Sequence, residues 1–118
     1  MAASILLIED DQNIARLLVI YLGREFTVDH VTTVDDAEKA LAGRSYDAAV
    51  LDVMLPGRPG WDLIGTLKAD HPATRIIITT GRGDAETRQR AATIGADTVL
   101  VKPMTPADVK KAIDALLN

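Results

Sequence analysis

The sequence predicts an α/β domain: one five-stranded parallel sheet with helices on both faces. Three observations carry this. Four short runs, Ile5–Ile8, Ala48–Leu51, Ile76–Ile78 and Val99–Val101, are wholly apolar, as strands covered on both faces require. Stretches with helical apolar spacing alternate with them. Most of these units close on a glycine or proline.

The first strand, Ile5–Ile8, ends abruptly in Glu9-Asp10-Asp11. Ile14, Leu17, Leu18, Tyr21 and Leu22 then follow the i, i+3, i+4, i+7, i+8 pattern of one helical stripe, with Asp11 as the expected N-cap and Gly23 near the end. Phe26–Val31 is a more polar strand that suits a sheet edge. Thr33 with Asp36 resembles a helix start; Ala37, Ala40 and Leu41 give that helix a small apolar face, and Gly43 closes it. The third strand runs through Ala48–Leu51 into Asp52 and breaks at Pro56-Gly57. Trp61, Leu63, Ile64 and Leu67 mark a third helix that stops before His71-Pro72. Ile76–Ile78 leads into Thr79-Thr80-Gly81. A weaker helix spans about Ala85–Ile94, with Ala91, Ala92 and Ile94 as its apolar face and Gly95 as its stop. The fifth strand, Val99–Val101, closes at Lys102-Pro103. Thr105 then caps a last helix with Pro106 at its first position and the stripe Val109, Ala112, Ile113, Leu116, Leu117.

Bulk properties narrow the function classes. A length of 118 residues suits one domain, expected over 1–118 with no output domain following. With no cysteine, disulfides, thiolate metal sites and cysteine nucleophiles are excluded. A net charge of -4 disfavours nucleic acid as a direct partner, since no basic patch is present to release phosphate counterions. No apolar run approaches a membrane span, and no basic segment precedes the first strand. A cytoplasmic protein without a signal peptide is the expectation.

In a parallel sheet the strand ends point one way, so the residues that follow them share one rim, where ligands bind in open α/β sheets. Glu9 and Asp10 follow the first strand, Asp52 the third, Thr80 the fourth and Lys102 the fifth. Singly, each has a bland explanation as a turn residue, a cap, a β-former or a surface charge. Together they need a charge account. Two carboxylates ~4 Å apart repel by about 4 kcal/mol at an effective dielectric of 20. Lys102 offsets part of this, and a hard divalent ion such as Mg²⁺ suits the remaining all-oxygen donors. With a metal, a lysine and a hydroxyl around it, Asp52 is a candidate nucleophile toward a phosphoryl group, and the product is an acyl phosphate.

These residues resemble a known family, the CheY-type receiver domain of two-component response regulators. The likeness covers the whole chain and rests on Glu9-Asp10-Asp11, Asp52 within LDVMLPG, Gly60, Thr80-Gly81, Gly95-Ala96-Asp97 and Lys102-Pro103. It implies strand order 2-1-3-4-5. It implies that Asp52 accepts a phosphoryl group from a phosphohistidine on a sensor histidine kinase or histidine phosphotransfer protein. It further implies that Asp10, Asp52 and the main-chain carbonyl of Met54 hold Mg²⁺, with Glu9 acting through water. Thr80 and Lys102 would bind the phosphoryl oxygens, and Thr80 would couple modification to the surface of the fourth helix, fifth strand and fifth helix. Such a chain is a signalling receiver rather than an enzyme, although it promotes its own phosphorylation and dephosphorylation. Val99 departs from the pattern, because the family usually places Tyr or Phe three residues before the lysine. Met104, Gly81 and Pro59 also differ from the commoner residues.

Other readings fit less well. A haloacid-dehalogenase-type phosphohydrolase needs a second Asp two residues after the nucleophile, where Met54 stands. A flavodoxin-like carrier needs a Ser/Thr/Gly-rich phosphate loop in place of Glu9-Asp10-Asp11, and no nucleotide-binding glycine motif is present. A pseudo-receiver, acting only as an interaction module, is the alternative that the missing aromatic keeps open. His30 and His71 are expected away from the rim, and Trp61 is expected to pack. Arg82-Gly83-Asp84 reads as a loop, and Arg82 and Met54 are expected to flank the phosphoryl site, where they would tune hydrolysis. Arg88, Arg90, Lys110 and Lys111 read as solvated helix faces, with a homodimer or partner surface over the fourth helix, fifth strand and fifth helix as the sharper alternative.

Overall fold

A computed structural model describes residues 2–118. Five strands, β1 (Ser4–Ile8), β2 (Thr27–Val31), β3 (Ala48–Asp52), β4 (Arg75–Thr80) and β5 (Thr98–Val101), form one sheet in the order β2-β1-β3-β4-β5. Every pairing is parallel. Five helices, α1 (Gln12–Leu22), α2 (Val34–Gly43), α3 (Trp61–Asp70), α4 (Ala85–Ile94) and α5 (Pro106–Leu117), alternate with the strands.

The alternation of strand side chains divides the core in two. Leu6, Ile8, Ala49, Leu51, Ile76 and Ile78 point to one face, where they meet Val34, Ala37 and Leu41 of α2, Leu63, Ile64 and Leu67 of α3, and Ala91 of α4. Ile5, Leu7, Ala48, Val50 and Ile77 point to the other face and meet Ala15, Leu18 and Leu22 of α1 with Val109 and Ile113 of α5. Burial on both faces explains why the three central strands read as unbroken apolar runs. The polar edge strand β2 is only half-buried.

Local chemistry sets the helix starts. Asp11 accepts from the N–H groups of Asn13 and Ile14 at 2.9 and 3.1 Å. Thr33 accepts from Asp36 N–H at 3.0 Å. Thr105 and Asp108 form a reciprocal capping box, with Pro106 opening α5. Gly95 ends α4 in the left-handed conformation, φ 92°, which suits a residue without a Cβ.

Several expectations need correction. Leu17 is 61% exposed, and the small Ala15 takes its place against the sheet. Apolar spacing alone could not choose between two stripes that share Leu18 and Leu22. Ala92 is exposed on α4, where only Ala91 is buried. Gly43 is the last residue of α2, which Arg44 caps. Strand β2 starts at Thr27 rather than Phe26.

The loop after β3 returns close to its own origin. Gly60 N–H donates to the Val53 carbonyl at 3.2 Å. A Cβ on Gly60 would lie 2.5 Å from the Asp52 carbonyl oxygen and 2.7 Å from the Val53 Cα, so no side chain fits there. Gly60→Ala is expected to lower stability by about 3 kcal/mol. Urea unfolding reads this directly, and a variant as stable as the parent would refute the close approach.

Candidate functional site

The carboxyl ends of the central strands deliver the expected side chains to one rim. Asp52 is the last residue of β3 and Glu9 the first beyond β1; both are buried, at 4% and 2% exposure. Asp10 is exposed beside them. One carboxylate oxygen from each of Glu9, Asp10 and Asp52 falls within a mutual distance of 4.8 Å. Thr80 is buried at the end of β4. Lys102, just beyond β5, is followed by a cis peptide bond to Pro103.

The Lys102 ammonium joins the acids. Its Nζ donates to Glu9 Oε1 at 2.9 Å and to Asp52 Oδ2 at 3.0 Å. The other oxygen of each carboxylate is met by backbone. Met54 N–H donates to Asp52 Oδ1 at 2.8 Å, and Asp11 N–H donates to Glu9 Oε2 at 3.2 Å. Thr80 Oγ1 accepts from Arg82 N–H at 3.0 Å, which leaves its own proton free to donate.

Burial raises the pKa of Glu9, against the opposing hydrogen bonds of Lys102 and Asp11 N–H. For Lys102, burial works against the charge, but the hydrogen bonds it donates to Glu9 and Asp52 outweigh it and the ammonium pKa is raised. Three carboxylates against one ammonium leave two uncompensated negative charges. Clustered oxygens with that residual charge fit a hard divalent cation such as Mg²⁺.

A cleft of about 170 Å³ opens beside these groups, lined by Met54, Thr80 and Arg82 together with Trp61, Glu86 and Arg90. Met54 and Arg82 thus flank Thr80 from two different loops. The sequence did not reveal the far wall of this cleft. Arg90, expected as a solvated charge, lies over the Trp61 ring at 4.4 Å. Lys110 pairs with Glu25 and Asp114, and Arg88 donates to the Gly83 carbonyl, so these too are engaged. His30 was also misplaced: its Nε2 lies 2.8 Å from the Glu9 carbonyl oxygen, next to the rim. Its position beside Leu7 in the β1–β2 pairing explains this, and no spacing in the sequence signals it. His71 ends α3, away from the rim.

Comparison with known proteins gives a consistent result. The sequence pattern of the response regulator receiver domain family matches residues 5–114. The transcriptional regulatory protein ResD of Bacillus subtilis is 34% identical over 115 residues, covering 97% of this chain and 48% of that protein. The transcriptional regulatory protein SrrA of Staphylococcus aureus is 34% identical over 119 residues, covering 100% of this chain and 49% of that protein. The chain therefore spans about half the length of these relatives. Among solved structures, the BeF3-activated receiver domain of DrrB superposes with a TM-score of 0.91 at 27% identity, covering 99% of this chain and 98% of that one. The response regulator DrrB, a Thermotoga maritima OmpR/PhoB homolog, gives a TM-score of 0.92 at 27% identity, covering 99% of this chain and 53% of that one. The chemotaxis response regulator CheY4 of Vibrio cholerae gives 0.92 at 22% identity, covering 99% and 100%, and shares the fold.

The charge arrangement makes two stability predictions in metal-free buffer. Lys102→Ala leaves two buried carboxylates unpaired and is expected to cost about 3 kcal/mol, part of it restored by Mg²⁺. Asp52→Asn removes one of those charges and is expected to raise the melting temperature. Urea and thermal unfolding with and without Mg²⁺ measure both; changes of opposite sign would contradict the charge account.

Proposed function

The chain belongs to the response regulator receiver domain family, and on that premise we propose that Asp52 is its phosphoryl acceptor. The donor is a phosphohistidine on a histidine kinase or phosphotransfer protein. One observation carries the assignment: Asp52 is a buried carboxylate held by a lysine and a backbone N–H at the meeting point of four strand ends.

An Asp52 oxygen attacks phosphorus while the phosphorus–nitrogen bond breaks, and the electron pair of that bond returns to the imidazole. Lys102 already lies on Asp52 Oδ2 and is positioned to hold a transferred oxygen as charge moves onto the aspartate. Thr80, its hydroxyl oriented by Arg82 N–H, donates to a second oxygen. Met54 N–H orients the attacking carboxylate. Asp10, Asp52 and the Met54 carbonyl would hold Mg²⁺, with Glu9 acting through water. The bound ion would supply charge neutralisation at the phosphoryl oxygens.

Hydrolysis reverses the modification: a water oxygen bonds phosphorus, the bond to Asp52 breaks, and carboxylate and inorganic phosphate result. The chain thus promotes a change of state in itself, as a signalling receiver. The readout surface in this reading is α4, β5 and α5, where a downstream partner or a second copy binds. Among the described residues no helix is long and apolar enough to cross a membrane, and a cytoplasmic location accompanies the proposal.

Incubation with acetyl phosphate and Mg²⁺ is expected to add one phosphoryl group, detected by intact-mass spectrometry. Asp52→Asn should remove the adduct, and chelation of the metal should suppress it. Equal labelling of the Asn variant would sink the assignment.

A further inference from the structure

Two cations line the cleft, Arg82 and Arg90, and Lys102 lies beside it in the site. Lys102 is committed to Glu9 and Asp52, and Arg90 to the Trp61 ring. Arg82 instead folds back on Asp84, its Nε at 3.2 Å and its Nη2 at 2.9 Å from the same oxygen, Oδ2. Both side chains are exposed, 62% and 43%, so water screens this pair and its loss costs little. The geometry is also incomplete, because two donors share one acceptor where a fork-to-fork pair would use two. Asp84 does not depend on it. Its other oxygen, Oδ1, accepts from Thr87 N–H at 2.8 Å and caps α4. That cap bond lowers the Asp84 pKa most, with Arg82 contributing further.

Arg82 is also tied to the reacting centre. Its N–H is the donor that holds Thr80 Oγ1, and its side chain lines the cleft that Thr80 and Met54 share. A phosphoryl group on Asp52 would bring a second negative charge and two or more free oxygens to the edge of this cleft. The planar fork of a guanidinium prefers two oxygens of one tetrahedral group to a single carboxylate oxygen.

We propose that Arg82 is a further phosphoryl-binding residue, which leaves Asp84 for the oxygens of the group on Asp52 when that group is present. The inference rests on Asp52 as acceptor. It makes Arg82 a shared ligand for two anions, with Asp84 as competitor. Transfer of the guanidinium leaves the α4 cap in place and restores an uncompensated carboxylate at the exposed start of that helix. The state of Asp52 is thereby written as a charge on the surface, through an ion-pair exchange that needs no aromatic side chain. Glu86 is the anionic side chain that lines the same cleft as Arg82.

The test uses the two partners against each other. Beryllium trifluoride, a phosphoryl mimic, is titrated in saturating Mg²⁺, with the fluorescence of Trp61, the sole tryptophan, as signal. Arg82→Ala is expected to weaken binding by about tenfold, with Arg82→Lys restoring part of it. Asp84→Asn keeps a good cap but frees the guanidinium, and is expected to tighten binding by about threefold. In Arg82→Ala the Asp84→Asn change should have no further effect. A purely structural pair predicts the opposite pattern, with both single variants weakening binding together. The exchange is overturned if Asp84→Asn weakens binding or leaves it unchanged, and the phosphoryl contact is overturned if Arg82→Ala binds as the parent does. Thermal melts of each variant separate misfolding from lost contact. A parent that binds no mimic, or an Asp52→Asn variant that binds equally well, overturns the acceptor assignment itself and this inference with it.

Discussion

The Lys102 ammonium is the interaction on which the site depends. Glu9 and Asp52 are both almost fully removed from water, and neither β1 nor β3 supplies a cation. Lys102 arrives from the far edge of the sheet, with Lys102 N–H held by the Thr80 carbonyl at 2.8 Å. It therefore reaches the acids only if β4 and β5 pair in register, and β4 must in turn lie beside β3. A local charge balance thus requires the global strand order. The same ammonium limits what the rim can do: it neutralises one charge and leaves the other two for a cation such as Mg²⁺.

Gly60 imposes a second constraint from the opposite side. The loop that leaves Asp52 must turn back to start α3, and it does so against the Asp52 carbonyl itself. The Met54 N–H that orients Asp52 lies inside this tight return. Arg58 secures its outer part through contacts with Asp35, Glu38 and Asp62, which ties the loop to α2 and α3. The geometry of Asp52 is consequently built into backbone packing rather than left to side-chain rotamers.

Much of this was legible in the sequence because apolar runs, caps and strand-end polar residues are local signals. Asp11, Thr33 and Thr105 cap as their types require, and the rim residues follow directly from a parallel sheet. What was not legible depended on choices that local spacing leaves open. Ala15 and Leu17 flank the Leu18–Leu22 row of α1 from opposite sides, and only the sheet's approach selects the smaller one. His30 meets Glu9 through cross-strand register, and Arg90 of α4 meets Trp61 of α3 because both helices lie on the same face of the sheet. The Arg82–Asp84 pair was hidden for a different reason. Both residues were visible as a loop triplet, with Arg82 expected beside the phosphoryl site, but the ion pair and the bond from Arg82 N–H to Thr80 Oγ1 appear only in the folded loop.

The two sides of the rim differ in how firmly they are held. Glu9, Asp52 and Lys102 are buried and joined by short bonds, while α4 buries only Ala91 and carries a weakly apolar face. Low burial means low local stability, and local rearrangement concentrates where stability is low. Gly83 lets the β4–α4 loop press on Val101, since a Cβ there would lie 2.9 Å from a valine methyl. Any shift of Thr80 toward a new group on Asp52 draws on the Arg82 N–H and hence on this loop. With Val99 in place of a large aromatic, no bulky side chain on β5 stands ready to report such a shift by rotation. With Asp52 as the proposed acceptor, the loop between Thr80 and the Asp84 cap offers a direct mechanical and electrostatic route to the surface, and the chain carries on it an arginine whose present partner is an exposed, screened carboxylate.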